Sequence, residues 1–164
     1  MNQNTKNNRV FQRFLGILIL TGIAMLTMGC KNSTNGTKTV TADISVPAIT
    51  AVANPMQFGP VSAYTGWDDN FPHSDVTYTL ILSQGGSAKV TVNSTTVTTI
   101  SASGQANGMY TLSQTFYYNG KSVGSRSTGI EVLSNVFAGL FASEADEFTP
   151  GSFSALTLSL SKKL

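Results

Sequence analysis

The chain has 164 residues, 41% hydrophobic and only 11% charged, with 10 Lys plus Arg against 8 Asp plus Glu, one His and one Cys. That length suits one domain of ordinary size, the single Cys excludes an internal disulfide, and the formal charge of +2 is too small for a nucleic-acid footprint. Ser and Thr fill 40 positions, so side chains able to do acid–base or metal chemistry are scarce.

Residues 1–13 are polar and carry Lys6, Arg9 and Arg13 without an acid; Phe14 to Met28 is then an uncharged apolar run of 15 residues. A basic segment followed by an apolar one has the order of a secretory signal. A helix needs about 20 residues to cross the hydrocarbon core, so the run is short for a membrane span.

Leu26-Thr27-Met28-Gly29-Cys30 closes this run and resembles the lipobox of bacterial lipoproteins. The resemblance implies a signal peptide over 1–29, cleavage before Cys30 and lipid on the Cys30 thiol. A single acyl chain anchors only marginally, and the two or three chains implied by the family would anchor stably. Thr27 stands where the family prefers Leu. Lys31, in the place where Asp favours inner-membrane retention, leans toward the outer membrane of a diderm cell. The partner implied is the membrane, through that anchor.

Beyond Cys30 the balance reverses: seven basic residues meet eight acidic ones. Residues 30–38 read as lipidated Cys and polar tether. Thr39 to Val46 alternates apolar and polar without error, which predicts a half-buried strand, and shorter extended segments follow over 48–53 and 56–58.

Val76 to Ser83 and Ala88 to Asn93 alternate on either side of Gln84-Gly85-Gly86-Ser87, predicting a hairpin. A short strand is expected over 97–102. Tyr110 to Tyr118 alternates up to Asn119-Gly120, a pair favouring a type I′ turn, and simple register puts Phe116 opposite Val123. Residues 131–148 fit either a helical stripe or a pair of strands, and Glu144, Asp146 and Glu147 read as solvated loop. Leu156, Leu158 and Leu160 alternate in a last strand.

Seven to nine strands with turn signals at this spacing predict an all-β fold over 39–164, an antiparallel immunoglobulin-like β-sandwich. Met56-Gln57-Phe58-Gly59-Pro60-Val61 and Thr149-Pro150-Gly151-Ser152-Phe153-Ser154 are similar to the opening and closing segments of spore-coat-U and pilin-like secreted β-sandwiches. That resemblance covers both ends of the domain and implies a non-enzymatic subunit of surface structures or adhesion. The chain departs from it in its lipobox, in lacking a Cys pair, and in the odd spacing between Phe153 and Leu156, which calls for a bulge.

Gly120-Lys121-Ser122-Val123-Gly124 matches the Gly-x-Ser-x-Gly pattern, but Ser122 sits on a hairpin's return strand and not on a strand-to-helix elbow. No catalytic residue or cofactor is expected; Asp68, Asp69, Asn70 and Asp75 offer oxygens that a calcium ion could use, but their spacing is not that of an EF-hand loop and no metal is expected. The one chemically dense segment is 64–75, with the only Trp, the only His and three of the five Asp. Tyr64, Trp67 and Phe71 could form a stacking platform for a glycan or protein partner, with Asp68, Asp69, His73 and Asp75 as polar contacts. The competing expectations are that Trp67 plugs one end of the sandwich and that the Asp side chains cap a polar turn.

Overall fold

The computed structural model describes residues 36–164, and Lys38–Leu164 form one compact unit. The expectations for segment 1–29, for Cys30 and for most of the tether fall outside the described residues. Among the described residues no helix is long and apolar enough to cross a membrane.

Ten strands are present: β1 (Thr39–Val46), β2 (Met56–Phe58), β3 (Val76–Gln84), β4 (Ser87–Ser94), β5 (Thr98–Ile100), β6 (Gly108–Tyr118), β7 (Lys121–Leu133), β8 (Val136–Ser143), β9 (Asp146–Pro150) and β10 (Leu156–Lys163). The order β4-β3-β6-β7-β8-β9 makes a six-stranded sheet, and β1 with β10 and β2 with β5 make two antiparallel pairs. The chain is thus nearly all β, as a sandwich requires. The ambiguous stretch 131–148 is strand rather than helix, the end of β7, all of β8 and the start of β9, with turns at 134–135 and 144–145; the first turn carries Ser134 and Asn135 at φ 53° and 64°. Asn135 also accepts from the Gly104 N–H at 3.1 Å, and Asn107 accepts from Ser134 at 2.8 Å, so this turn is tied to the loop before β6.

Period-two alternation builds the core. Val76, Tyr78, Leu80 and Leu82 of β3, Tyr110, Leu112 and Phe116 of β6, Ile130 and Val132 of β7, and Ile44, Leu158 and Leu160 of the β1/β10 pair are essentially inaccessible. Their Ser and Thr neighbours point the other way, which is how a sheet with one buried face is written in sequence. At about 1.5–3 kcal/mol for each large apolar side chain buried, this face is the main source of stability.

The β6/β7 hairpin departs from simple register. Tyr118 pairs with Lys121 and Tyr117 with Ser122 as the Asn119-Gly120 turn dictates, but a bulge follows and Phe116 lies opposite Gly124, not Val123. One extra residue reverses which side chains of β7 face inward. Gly124, Arg126, Thr128, Ile130 and Val132 become the inner set, and Gly124 suits its place because a Cβ there would lie 2.9 Å from Leu158 Cδ2.

The β1/β10 ladder is also interrupted. Val46 pairs with Leu156 and Ile49 with Phe153, while Pro47, Ala48, Ser154 and Ala155 between them stay unpaired. Within the strands the even-numbered residues direct their backbone groups to the partner, since Leu164 N–H reaches Lys38 O at 2.7 Å and Ser45 N–H points away to Thr65 O at 2.8 Å. Across the break odd-numbered Ile49 and Phe153 exchange both hydrogen bonds, each 2.9 Å. The pair rotates by half a turn there, so Phe153 is as buried as Leu158 despite its odd spacing from Leu156.

The acidic segment is more than solvated loop. Glu144 accepts from the Gly85 N–H at 2.7 Å and from the Thr111 hydroxyl at 2.9 Å, clasping the β3/β4 turn to β6. The Thr149 side chain, followed by the Thr149 and Phe148 N–H groups, holds the Asp146 carboxyl below the ordinary carboxylate value; Glu147 is exposed.

Candidate functional site

The segment 64–75 divides into parts with different surroundings. After the short 3-10 turn Val61–Ala63 the chain runs along the outer edge of β1, where Thr65 bridges Ser45 and Gly66 lies against the Asp43 carbonyl. Gly66 has φ 99° and a Cβ there would overlap the Asp43 oxygen, so a glycine is required. Lys162 Nζ donates to Asn70 O at 2.9 Å and fixes the far side of the loop.

Trp67, Asp68, Asp69, Phe71, Pro72, His73 and Ser74 line a cleft of about 510 Å³. Its polar side is a turn in which Asn70 N–H donates to Asp68 Oδ1 at 2.7 Å, the Asx capping expected of that sequence. Its aromatic side is Trp67 with His73 set edge-on at 4.7 Å. Trp67 is half-buried against the core, and its indole Nε1, though shielded from solvent, has no acceptor among the described residues. Asp69 and His73 are exposed.

Three of the expected contacts are arranged otherwise. Phe71 is 1% exposed and packs on Tyr118 at 5.7 Å, so its ring belongs mainly to the core. Asp75 ends the 3-10 turn His73–Asp75 outside the cleft lining. Tyr64 is directed to a second place, edge-on to Phe116 at 6.0 Å. Among the described residues no three His, Cys, Asp or Glu side chains converge as a metal site would need.

That second place centres on Arg126, which sequence reasoning did not single out. The bulge after Tyr117 turns it into the sandwich, where it is 9% exposed. Its Nε donates to Gln114 Oε1 at 2.9 Å, and Nη1 donates to Pro47 O at 2.6 Å and Ser154 O at 2.9 Å. The carbonyls freed by the interrupted ladder are thus taken up by a guanidinium, which also lies 5.1 Å from the Phe153 ring centroid. Burial pulls the Arg126 pKa below its ordinary value, with Tyr64 acting in the opposite sense. Burial raises the Tyr64 hydroxyl, opposed by Arg126, Gln114 and the Gly59 backbone.

No carboxylate compensates this cation. Residues 1–35 contain no Asp or Glu, and the groups acting on Arg126 are neutral oxygens and a phenol. Gln114 Nε2 is buried beside it, with the Tyr64 hydroxyl as its polar neighbour. A pocket of about 240 Å³ is lined by Ser45, Val46, Pro47, Ala63, Tyr64, Thr65 and Ala155, and of Arg126's neighbours it includes Pro47 and Tyr64. No protein-family model, curated protein or solved structure matches the chain.

Proposed function

We propose that the chain is a cell-envelope lipoprotein anchored through Cys30, whose β-sandwich serves without catalysis as a structural or adhesive component at the bacterial surface. The lipobox and polar tether support the anchoring, and Lys31 favours the outer membrane. The observation that carries the adhesive reading is the outer edge of β10. Thr157, Ser159, Ser161 and Lys163 direct their backbone groups away from β1, and among the described residues no backbone hydrogen bond reaches them.

The edges of β4, β9 and β1 are guarded. Lys89 stands on β4, Glu147 and Pro150 on β9, and the 64–66 loop covers β1. The edge of β10 offers an extended partner segment four regularly spaced residues of unpaired backbone, the geometry used in β-augmentation. Ser161→Pro removes one outward N–H without touching the β1 ladder. A folded Ser161→Pro protein that no longer joins surface assemblies or adheres is the expected result; unchanged assembly would refute the edge as the point of engagement. Cys30→Ala should leave an unlipidated precursor, and a normally released mature form would refute the anchoring.

The cleft at Trp67 favours a second reading, an envelope-anchored binding module for a carbohydrate or small ligand. It is supported by the buried indole Nε1 without an acceptor beside the exposed Asp69 and His73.

A further inference from the structure

The free edge of β10 is complementary to itself. Thr157, Ser159, Ser161 and Lys163 are exposed and turn their backbone groups outward. Leu156, Leu158, Leu160 and Leu164 share the inward row with Lys162. Leu164 belongs to that row because its N–H reaches Lys38 O at 2.7 Å, one step beyond the Thr39–Lys163 pair. It is nevertheless 55% exposed, and Leu156 is only partly buried, so the two ends of the row are incompletely covered by the chain's own core. Lys162 does not guard this edge, since its Nζ donates to Asn70 O. β7 is also free of β8 before Gly129, but the bulge that leaves Val123 unpaired and the charge of Lys121 make that edge irregular. β10 has neither a bulge nor a proline from Leu156 to Lys163.

An antiparallel copy of β10 laid against this edge, with the two-fold axis at Leu160, sets Thr157 opposite Lys163 and Ser159 opposite Ser161, each pair occurring twice. All four outward residues then exchange backbone hydrogen bonds, and no like charges meet. The same register sets Leu164 of each copy opposite Leu156 of the other, which gives both the apolar neighbour they lack. The adjacent registers lose this: an axis at Ser159 moves Leu164 opposite Ser154, and one at Ser161 moves it opposite Leu158, which is already covered. We propose that the partner at the β10 edge is a second copy of this chain, paired antiparallel about Leu160 into a continuous β1-β10-β10-β1 sheet. The inference rests on the reading of that edge, and on the anchor at Cys30, given above. Thr39 lies level with Lys163, so the pairing offsets the two Thr39 residues by about 20 Å along the strands. Residues 31–38 can span up to about 27 Å, so both copies reach one membrane. Chains held in one membrane meet at a raised effective concentration, and a single strand pair then suffices.

The test uses the lipidated full chain, in detergent and on cells. Sedimentation equilibrium should give a dimer's mass, and Ser161→Pro should return it to a monomer's. Leu164→Asp should weaken the dimer about tenfold, the worth of burying one leucine. Register is read by disulfides, with the Cys30 thiol occupied by its lipid. Ser159→Cys and Ser161→Cys chains expressed together should cross-link to each other, whereas Ser159→Cys alone, or Ser127→Cys on the exposed face of β7, should not. A monomer at every concentration would overturn the proposal, and so would a dimer indifferent to both substitutions or a cross-link in another register. If a monomeric chain still loses adhesion on Ser161→Pro, a foreign strand takes the edge and only the second copy is refuted. If Ser161→Pro alters neither mass nor adhesion, the reading of the edge falls with it.

Discussion

Gln114 and Arg126 face each other across the β6/β7 ladder on the buried side of the sheet, joined by a 2.9 Å hydrogen bond from Nε to Oε1. Their pairing sets one polar group into an otherwise apolar buried face, and it ties three parts of the chain together through one side chain. Replacing Gln114 by Leu leaves the Arg126 Nε donor buried and unmatched, which costs about 1–3 kcal/mol. Arg126→Met abandons the Pro47 and Ser154 carbonyls and the Gln114 oxygen, at about 1–3 kcal/mol for each acceptor left unmet, partly offset because the desolvation cost of the cation goes with it. Urea denaturation of the two single variants and the double variant would measure the coupling, and additivity would show that the pair does not act as a unit.

Gln114→Glu supplies the missing carboxylate. Beside the guanidinium its folded-state pKa should lie below the unfolded value of about 4.3. The added stability is then full above that value and is lost as pH falls through the folded pKa. The ratio of unfolding midpoints, variant to parent, should therefore drop on acidification from pH 7 to pH 3; a flat ratio would contradict the pairing.

Tyr64 gives the opposite pH signature. Its hydroxyl is raised by burial, so above the ordinary value of about 10 the unfolded chain sheds a proton that the folded one keeps. The unfolded state then binds fewer protons and stability falls as pH rises, by 2.303RT per proton and pH unit at most. Tyr78 is raised by burial as well and adds to the decline. Tyr64→Phe should make the alkaline loss shallower between pH 10 and 11, as read by guanidinium midpoints.

Two glycines of β7 should respond differently to alanine. At Gly124 the new methyl would meet the ends of the Leu158 and Leu156 side chains, which can swing aside, and the cost should stay under about 1.5 kcal/mol. At Gly129 it would overlap the Ser143 backbone carbonyl, which β8 holds in place. Gly129→Ala should be destabilising by about 2–3 kcal/mol or more, with displaced β8 amide resonances. Equal effects at the two sites would show that β8 is not held against β7 as described.

The Trp67 cleft is tested by fluorescence. Trp67 is the only tryptophan, so its emission reports this site alone. Titration with cell-wall or host oligosaccharides should quench or shift it, and His73→Ala should weaken the response several-fold by removing the edge-on neighbour. A spectrum indifferent to every glycan tried, in a protein that stays folded, would leave the cleft as packing.

The alternating strands were legible because period two records which face is buried. Thr39 to Val46 follows it residue by residue, and Val76 to Leu82 follows it in burial with Ile81 as the one apolar residue on the outer face. The odd interval from Phe153 to Leu156 also showed in the sequence, and it marks the ladder's interruption. Arg126 was hidden because its inward direction depends on a single bulged residue after the Asn119-Gly120 turn, and the turn's own register points it outward. The cleft was half legible: the dense loop was visible, but only the packing distinguishes Trp67 at its surface from Phe71 in the core. Residues 131–148 were unreadable because spacing four in Val132, Val136 and Leu140 suits a helix, while Ser134-Asn135 supplies a tight turn without a glycine.

The pairing of β1 with β10 also sets an order of events. Thr39 finds its partner in Lys163, so a strand made early waits for nearly the whole remainder of the chain before its ladder can close. Contacts this distant in sequence form late and slowly. Until then Ile44 and Val46 lack the cover that the leucines of β10 give them, and the unfinished sheet is open to foreign strands. A chain exported from its N-terminus would therefore cross as an unfinished sandwich, with β10 closing it only after β10 itself has crossed.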